Sequence, residues 1–447
     1  MNKRGVILST TAAVMGLVGV VGIQVAAPSW AGFRNNPKEL VDEAWQIVNR
    51  EYVDSDFNAV DWEAVRTDLL SRDYATEDEA YEAIRAALEQ LEDPYTRFMD
   101  PEQFASMQID TSGELTGVGI QLGAEDETGR LLVVSPIDNS PALNAGVQAG
   151  DIIVEIDGTL TDGMDVNEAV NLIRGEVGSI VTITVLRDEA EQLDFDIKRE
   201  RIELQAVTHE VHPAGEQQIG YIRLSQFSAK ASDEMRDAVD ELEGLGVDAY
   251  VLDLRGNPGG LLYSSAEIAR LFLSKGGIVS TENRQGIQDS ISANGEALTD
   301  KPMTVLVDGG SASASEILAG ALQDNERATL VGTQTFGKGL VQSVHAISGG
   351  SGLAVTIARY RTPSGTDINQ TGITPDRIVE LSETDIETLT SDRELLATSA
   401  DPQYAAAVQS LELQLATSVD QQPQALSPET TSVGNDSLNA DSAGLER

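Results

Sequence analysis

Between residues 202 and 380 strand-like and helix-like segments alternate, and this alternation limits the fold more than any other feature of the chain. "QIGYIRLSQF" is a strand, and "ASDEMRDAVDELEGLG" is an amphipathic helix with a glycine stop. "AYVLDLRG" and "MTVLVDGG" are buried strands, each leading into a helix, "GGLLYSSAEIARLFLS" and "SASASEILAGALQDN". Strands return in "GLVQSVHAI" and "GLAVTIARYR". Repeated strand–loop–helix units of this kind predict an α/β core, a largely parallel sheet covered by helices.

At 447 residues the chain is too long for one core. Residues 32–106 form an N-terminal helical region: "PKELVDEAWQIVNREYV" sets Leu40, Val41, Ala44, Ile47 and Val48 on one stripe. In "TEDEAYEAIRAALEQL", Thr76 reads as an N-cap with Glu79 as its capping-box partner. Residues 107–200 change to short β-rich runs between Gly, Asp and Asn, the pattern of a compact β domain. The α/β core spans 201–416 and closes with the helix "DPQYAAAVQSLELQL", with Asp401 as cap and Pro402 in the first turn. Residues 417–447, acidic, polar and poor in large apolar groups, are expected to be disordered. Residues 1–31 begin with Lys3 and Arg4, continue with an uncharged apolar run and reach "SWA". They read as a signal peptide or an uncleaved membrane anchor, so the remainder is expected to be exported.

Composition narrows the chemistry. A formal net charge of −43 repels nucleic acid and argues against a polynucleotide partner. The absence of cysteine removes disulfides, thiol catalysis and Cys-ligated metals. Three histidines leave few conventional general bases.

Within "DGGSASASEILAGAL" the helix pattern begins just after Ser313. A serine there faces helix N-terminal amides that lack intrahelical partners, a setting that suits an oxyanion. Ala312 and Ala314 leave room for a substrate. Taken alone, such a serine is an N-cap. In "YVLDLRGNPGGLLYSS", Gly259 and Gly260 let the backbone approach a ligand and offer a second oxyanion donor, or form a tight turn. For a base, His209 and His212 sit near a domain junction without a supporting motif. His345 points to the opposite face from Gln342 on its strand. Lys338 in "TQTFGKGLVQ" is flanked by glycines and shares parity with Gln342. A desolvated lysine serves as a base once its amine is neutral, and Gln342 would orient that amine.

The two segments "SASASEILAGALQD" and "GTQTFGKGLVQS" resemble the carboxyl-terminal processing peptidases, or tail-specific proteases. The resemblance implies a Ser-Lys dyad of Ser313 and Lys338, with Gln342 as supporting amide. It places the oxyanion hole at the N–H of Ala314 and that of Gly259 or Gly260, and requires no metal or cofactor. The β domain resembles a bacterial, circularly permuted PDZ domain. "GVGIQL", from Gly117 through Val118, Gly119 and Ile120, is similar to its carboxylate-binding loop, and "SPALNAGVQAGDIIVEIDG" to its other hallmark run. An amide nest of this kind binds an anion, and the adjacent strand edge pairs with an extended peptide.

"EAWQIVNREYVD" and "ARYRTPSG" are most similar to cyanobacterial and chloroplast members, some of which trim the C-terminal extension of a photosystem II reaction-centre subunit. The implied function is an exported serine endopeptidase of the periplasm or thylakoid lumen, whose partners are proteins with free C-terminal tails. Two other readings are a serine hydrolase using His345 and a PDZ scaffold on an inactive core.

Overall fold

The computed structural model describes residues 20–24 and 36–420, apart from 126, 127, 189, 190 and 287. The predicted α/β sheet lies at its centre. Six strands follow the order Val207–Ala214, Gln217–Leu224, Ala249–Asp253, Met303–Val307, Thr329–Gly332 and Arg377–Ile378. The first two are antiparallel, and every later neighbour is parallel. Ala249–Asp253 and Met303–Val307 are buried at every position, which explains their largely apolar sequences: helices cover both faces. On one face helices Ala231–Leu245, Leu262–Phe272 and Ala314–Asp324 pack over Leu252, Val305 and Val307. On the other, helix Pro402–Asp420 sets Tyr404, Ala407 and Leu411 against Val251, Leu306 and Val331. Asp401 caps that helix as expected, accepting from the N–H groups of Gln403 and Tyr404. The helix runs past the expected limit at 416, and the tail from 421 lies outside the described residues.

"GLVQSVHAI" and "GLAVTIARYR" do not extend the parallel sheet. Leu340–Ala346 and Gly352–Arg361 pair antiparallel in a second sheet with Gly277–Asn283 and Gln288–Ser292. Their connection, 347–351, is far too short for a parallel crossover. Strand Arg97–Met99 from the N-terminal region adds to Gly352–Ala354, and Val20–Gln24 pairs in parallel with the Leu340 strand.

The expected N-terminal helices are Pro37–Glu51, Trp62–Ser71 and Glu77–Glu89. They share a core of Leu40, Ala44, Val48, Trp62 and Ile84 that reaches Leu353 and Val355 of the second sheet. The box at Thr76 is half formed: Thr76 accepts from Glu79 N–H, but the Glu79 carboxylate goes to Ala75 N–H. Helix Pro101–Ser112 crosses the expected boundary at 106 and ends on Gly113 at φ 72°. There the β domain begins. Its five-strand path, Ile120–Ala124, Leu131–Pro136, Ile152–Ile156, Ile180–Arg187 and Glu191–Lys198, encloses Val118, Val133, Ile153, Ile183 and Val185. The chain enters and leaves this domain through one antiparallel ribbon, Glu114–Gly117 with Glu200–Glu203. The Leu204 N–H donates to the Gly113 carbonyl at the ribbon's base, 2.8 Å away.

Among the described residues no helix is long and apolar enough to cross a membrane. The signal or anchor segment expected at 1–31 lies outside them, apart from strand 20–24.

Candidate active site

Open α/β sheets bind ligands beyond the carboxyl ends of their strands. At that edge the loops after Ala249–Asp253 and Met303–Val307 are sewn together. Asp308 Oδ1 accepts from Gly256 N–H at 2.8 Å, Ser311 Oγ donates to the Leu254 carbonyl at 2.8 Å, and Ser315 Oγ donates to the Asn257 carbonyl at 2.8 Å. The two outer serines of the S-A-S-A-S run are therefore structural. Ser313 between them is buried, and its Oγ has no hydrogen-bond partner. Its backbone, at φ 56° and ψ −112°, occupies a region that costs a non-glycine residue about 1–3 kcal/mol. The helix starts at Ala314, as predicted, but Ser313 Oγ does not cap it.

Glu316 takes the opposite part of the capping interaction. Its carboxylate, fully buried, accepts from Ser313 N–H at 2.8 Å. It also accepts from Thr335 Oγ1 at 2.6 Å, Gly337 N–H at 2.7 Å and Lys338 N–H at 2.9 Å. One side chain thus pins the serine loop to the lysine loop. Burial pushes its carboxyl up, against the pull of these four donors. Every donor points at Glu316, so a proton on the carboxyl would face another donor. Tyr360 Oη adds a second bridge, within hydrogen-bonding reach of the carbonyls of Ser313 and Lys338. Glu316 and Tyr360 were missed from sequence. The serine-to-glutamate spacing of a capping box was visible, but its partners after residue 334 were not.

Lys338 lies in the loop before the Leu340 strand, not on it, so strand parity does not place it. Its glycine neighbours make the close approach that was expected. A Cβ on Gly337 would stand 2.8 Å from Gly372 N, and one on Gly339 2.8 Å from Asn369 N. The side chain is 1% exposed and its Nζ has no hydrogen-bond partner. Burial pushes the amine down to about 7; Arg97 adds to that push, and Asp93 and Glu316 oppose it. Gln342 is buried on the same strand-entry segment. Its Nε2 donates to Thr356 Oγ1 at 3.3 Å, and its Oε1 is unpartnered. Ser313 Oγ and Lys338 Nζ are not hydrogen-bonded to each other.

Gly259, at φ 102°, lies against the serine: a Cβ there would be 2.9 Å from Ser313 Cβ and 3.0 Å from Ala314 N. Its own N–H donates to Asn257 Oδ1 at 2.9 Å. Gly260 packs against Phe227 instead, where a Cβ would fall 2.3 Å from the Phe227 carbonyl oxygen. Beneath this turn Arg255 pairs with Asp253 and Asp401, all buried, at 2.6 and 2.8 Å. Arg255 holds the Asp253 carboxyl below its ordinary value despite burial. The histidines are engaged elsewhere: His345 Nε2 with Glu51 at 2.7 Å, His209 with Glu241 at 3.2 Å, and His212 with Tyr404 at 2.9 Å.

The Gly117–Ile120 loop belongs to the β domain, not to this crevice. Gly119, at φ 79°, packs where a Cβ would meet Ser140 Cβ at 2.3 Å. The carbonyls of Val118 and Gly119 accept from Ala142 N–H and Ile137 N–H, both at 2.9 Å, which fastens the loop into the domain.

Comparison with known proteins gives a consistent result. Residues 218–379 match peptidase family S41 and residues 132–187 a PDZ domain. A carboxyl-terminal-processing protease of Synechocystis is 45% identical over 383 residues, spanning 85% of this chain and 88% of that protein. The chloroplastic carboxyl-terminal-processing peptidase 2 of Arabidopsis thaliana is 41% identical, spanning 78% of this chain and 70% of its own. The solved photosystem II D1 C-terminal processing protease superposes with a TM-score of 0.53 at 37% identity, covering 83% of this chain and 100% of that one.

Proposed function

The chain belongs to peptidase family S41 as a carboxyl-terminal-processing serine protease, and we propose that Ser313 is its nucleophile and Lys338 its general base. One observation carries this reading: the amine of Lys338 is buried, unpaired and pushed to about 7, on a loop that Glu316 and Tyr360 hold to Ser313. Near neutral pH such an amine is neutral in a useful fraction of molecules and accepts a proton.

Ser313 Oγ attacks the scissile carbonyl and passes its proton to Lys338 Nζ. The oxyanion is met by the Ala314 N–H, first of its helix, and by an N–H of the Gly259–Gly260 turn; Gly259 is the nearer residue, and its N–H serves only on leaving Asn257 Oδ1. The Lys338 ammonium then gives its proton to the leaving amine as the C–N bond breaks. Water attacks the acyl-enzyme and gives a proton to Lys338, which passes it to Ser313 Oγ as the acyl C–O bond breaks, so hydroxyl and neutral amine are both restored. The hydrogen bond between hydroxyl and amine forms with substrate in place, as such contacts tighten in the Michaelis complex. The free Oε1 of Gln342 is the acceptor that would orient the amine.

The β domain, bounded here by the ribbon 114–203, acts as a PDZ domain that binds a free C-terminal carboxylate at Gly117–Ile120 and delivers the tail. Its substrates are exported proteins, among them a photosystem II reaction-centre subunit in a thylakoid lumen, in line with the relatives' names. The leader at 1–31 directs export. The decisive experiment is peptidase assay of Ser313→Ala, Lys338→Ala, Lys338→Arg and the double alanine variant. Each single change abolishes turnover, and the double is scarcely worse, because members of one catalytic unit are not additive. A guanidinium stays protonated, so turnover by Lys338→Arg at the wild-type rate refutes the dyad.

A further inference from the structure

We infer that Tyr95, from the N-terminal helical region, is a positioning residue for the proposed base: its ring closes the Lys338 pocket and keeps water off the amine. The inference rests on the reading of Lys338 as base.

Tyr95 stands just before strand Arg97–Met99, about 240 residues upstream of Lys338. Its ring centroid lies 4.7 Å from Lys338 Nζ, a contact distance that leaves no room for water between them. The turn carrying it is fixed from both sides. Asp93 accepts from Tyr95 N–H at 3.0 Å and from Thr96 Oγ1 at 2.7 Å. Thr96 Oγ1 accepts from Thr356 N–H at 3.0 Å, and Thr356 Oγ1 accepts from Gln342 Nε2 at 3.3 Å. A closed path therefore runs from the ring over Lys338, through Asp93, Thr96 and Thr356, back to the amide four residues beyond the lysine. The N-terminal region thus supplies one wall of the amine's pocket.

The ring acts on the amine in two opposite senses. Its π face favours the ammonium by about 0.5–2 kcal/mol. Its bulk excludes water, which favours the neutral amine. The amine as a whole is displaced downward, to about 7, with burial the largest cause, and the ring at 4.7 Å is one of the groups that bury it. The charged groups around the amine are Arg97, which favours the neutral form, and Asp93 and Glu316, which favour the charged one. None of these is on Tyr95, so substitution at 95 changes hydration while leaving them in place.

The test is the pH dependence of kcat/KM for Tyr95→Ala, Tyr95→Leu and Tyr95→Phe, beside Lys338→Ala. Tyr95→Ala opens the pocket, and its acid limb moves to higher pH by one pH unit or more. Activity at pH 7 falls on the order of tenfold and recovers toward pH 9. Tyr95→Phe restores the wild-type limb. Tyr95→Leu keeps the cover without the π face, so its limb stays or falls, and a rise overturns the inference even if Tyr95→Ala does not fold. A Tyr95→Ala limb at or below the wild-type position also overturns it. In Ser313→Ala protein labelled with [13Cε]lysine, assigned by Lys338→Arg, the amine itself should titrate higher in the Tyr95→Ala form. Turnover by Lys338→Ala would remove the base assignment, whereas an inactive Lys338→Ala with an unmoved Tyr95→Ala limb removes only the role of Tyr95.

Discussion

Replacing Lys338 by methionine should abolish catalysis and yet make the protein harder to unfold. The side chain is 1% exposed, and its amine has no hydrogen-bond partner. Its ordinary value is 10.5, and the fold pushes it to about 7. Between those limits the unfolded chain holds a proton here that the folded chain has given up. This group therefore makes stability rise with pH from about 7 to 10.5, and its full penalty applies below 7. At pH 8 the penalty is about 3 kcal/mol, and at pH 7 or below about 5 kcal/mol. Methionine fills nearly the same volume without a charge, and repacking should cost under about 1.5 kcal/mol. Lys338→Met should then exceed wild type by about 2–3 kcal/mol at pH 8 and lose that advantage near pH 10. Urea unfolding followed by circular dichroism at pH 7, 8 and 10 measures it, with Ser313→Ala as the control that leaves the amine in place. A Lys338→Met protein no more stable than wild type at pH 8, or one whose gain persists at pH 10, would refute the claim that the amine is buried at a cost.

Glu316→Gln puts an amide donor among four donors, so at least one backbone or hydroxyl group loses its acceptor. It should lose about 2–4 kcal/mol in thermal or urea stability and at least tenfold in kcat, with KM little changed; wild-type kcat would show that Glu316 does not set the loops. Asp401→Ala takes from the buried Arg255 guanidinium one of its two carboxylates, leaving Asp253, and removes the cap of the last helix, and should cost about 2–4 kcal/mol by urea unfolding. Peptides with an amidated C-terminus should be cleaved much more slowly than matched free acids below saturation, because charge-assisted bonds to the carboxylate are lost; equal rates would exclude Gly117–Ile120 as a carboxylate site.

What could be read beforehand follows from range along the chain. The Met303 strand and the helix start after Ser313 are local patterns, and the fold keeps both. Leu340–Ala346 and Gly352–Arg361 are legible as strands, but apolar runs do not reveal which sheet they join. Lys338 stands out by its glycine context and precedes the strand as read, but the depth at which its amine is buried has no local sign. Tyr95, Thr96 and Arg97 carry no local sign of their place around the amine. They arrive because strand Arg97–Met99 pairs with Gly352–Ala354, a contact between segments about 250 residues apart in the chain. Ser313 stands out in the sequence by the helix that starts after it, whereas the bonds that occupy the outer serines, 311 and 315, to the carbonyls of Leu254 and Asn257 are not legible there.

The ribbon at 114–117 and 200–203 has a consequence for how such a chain is assembled and varied. Gly113 and Leu204 meet in a single 2.8 Å hydrogen bond, so everything between them is a detour that begins and ends at one point of the core. Loop closure costs little more as a detour lengthens, roughly 0.6 kcal/mol for each doubling. The core is therefore nearly indifferent to the size of what is spliced in there. A recognition module can be exchanged, lengthened or deleted at this junction while the chain on either side keeps its register. Selection on what the enzyme captures is in that sense uncoupled from selection on how it cuts.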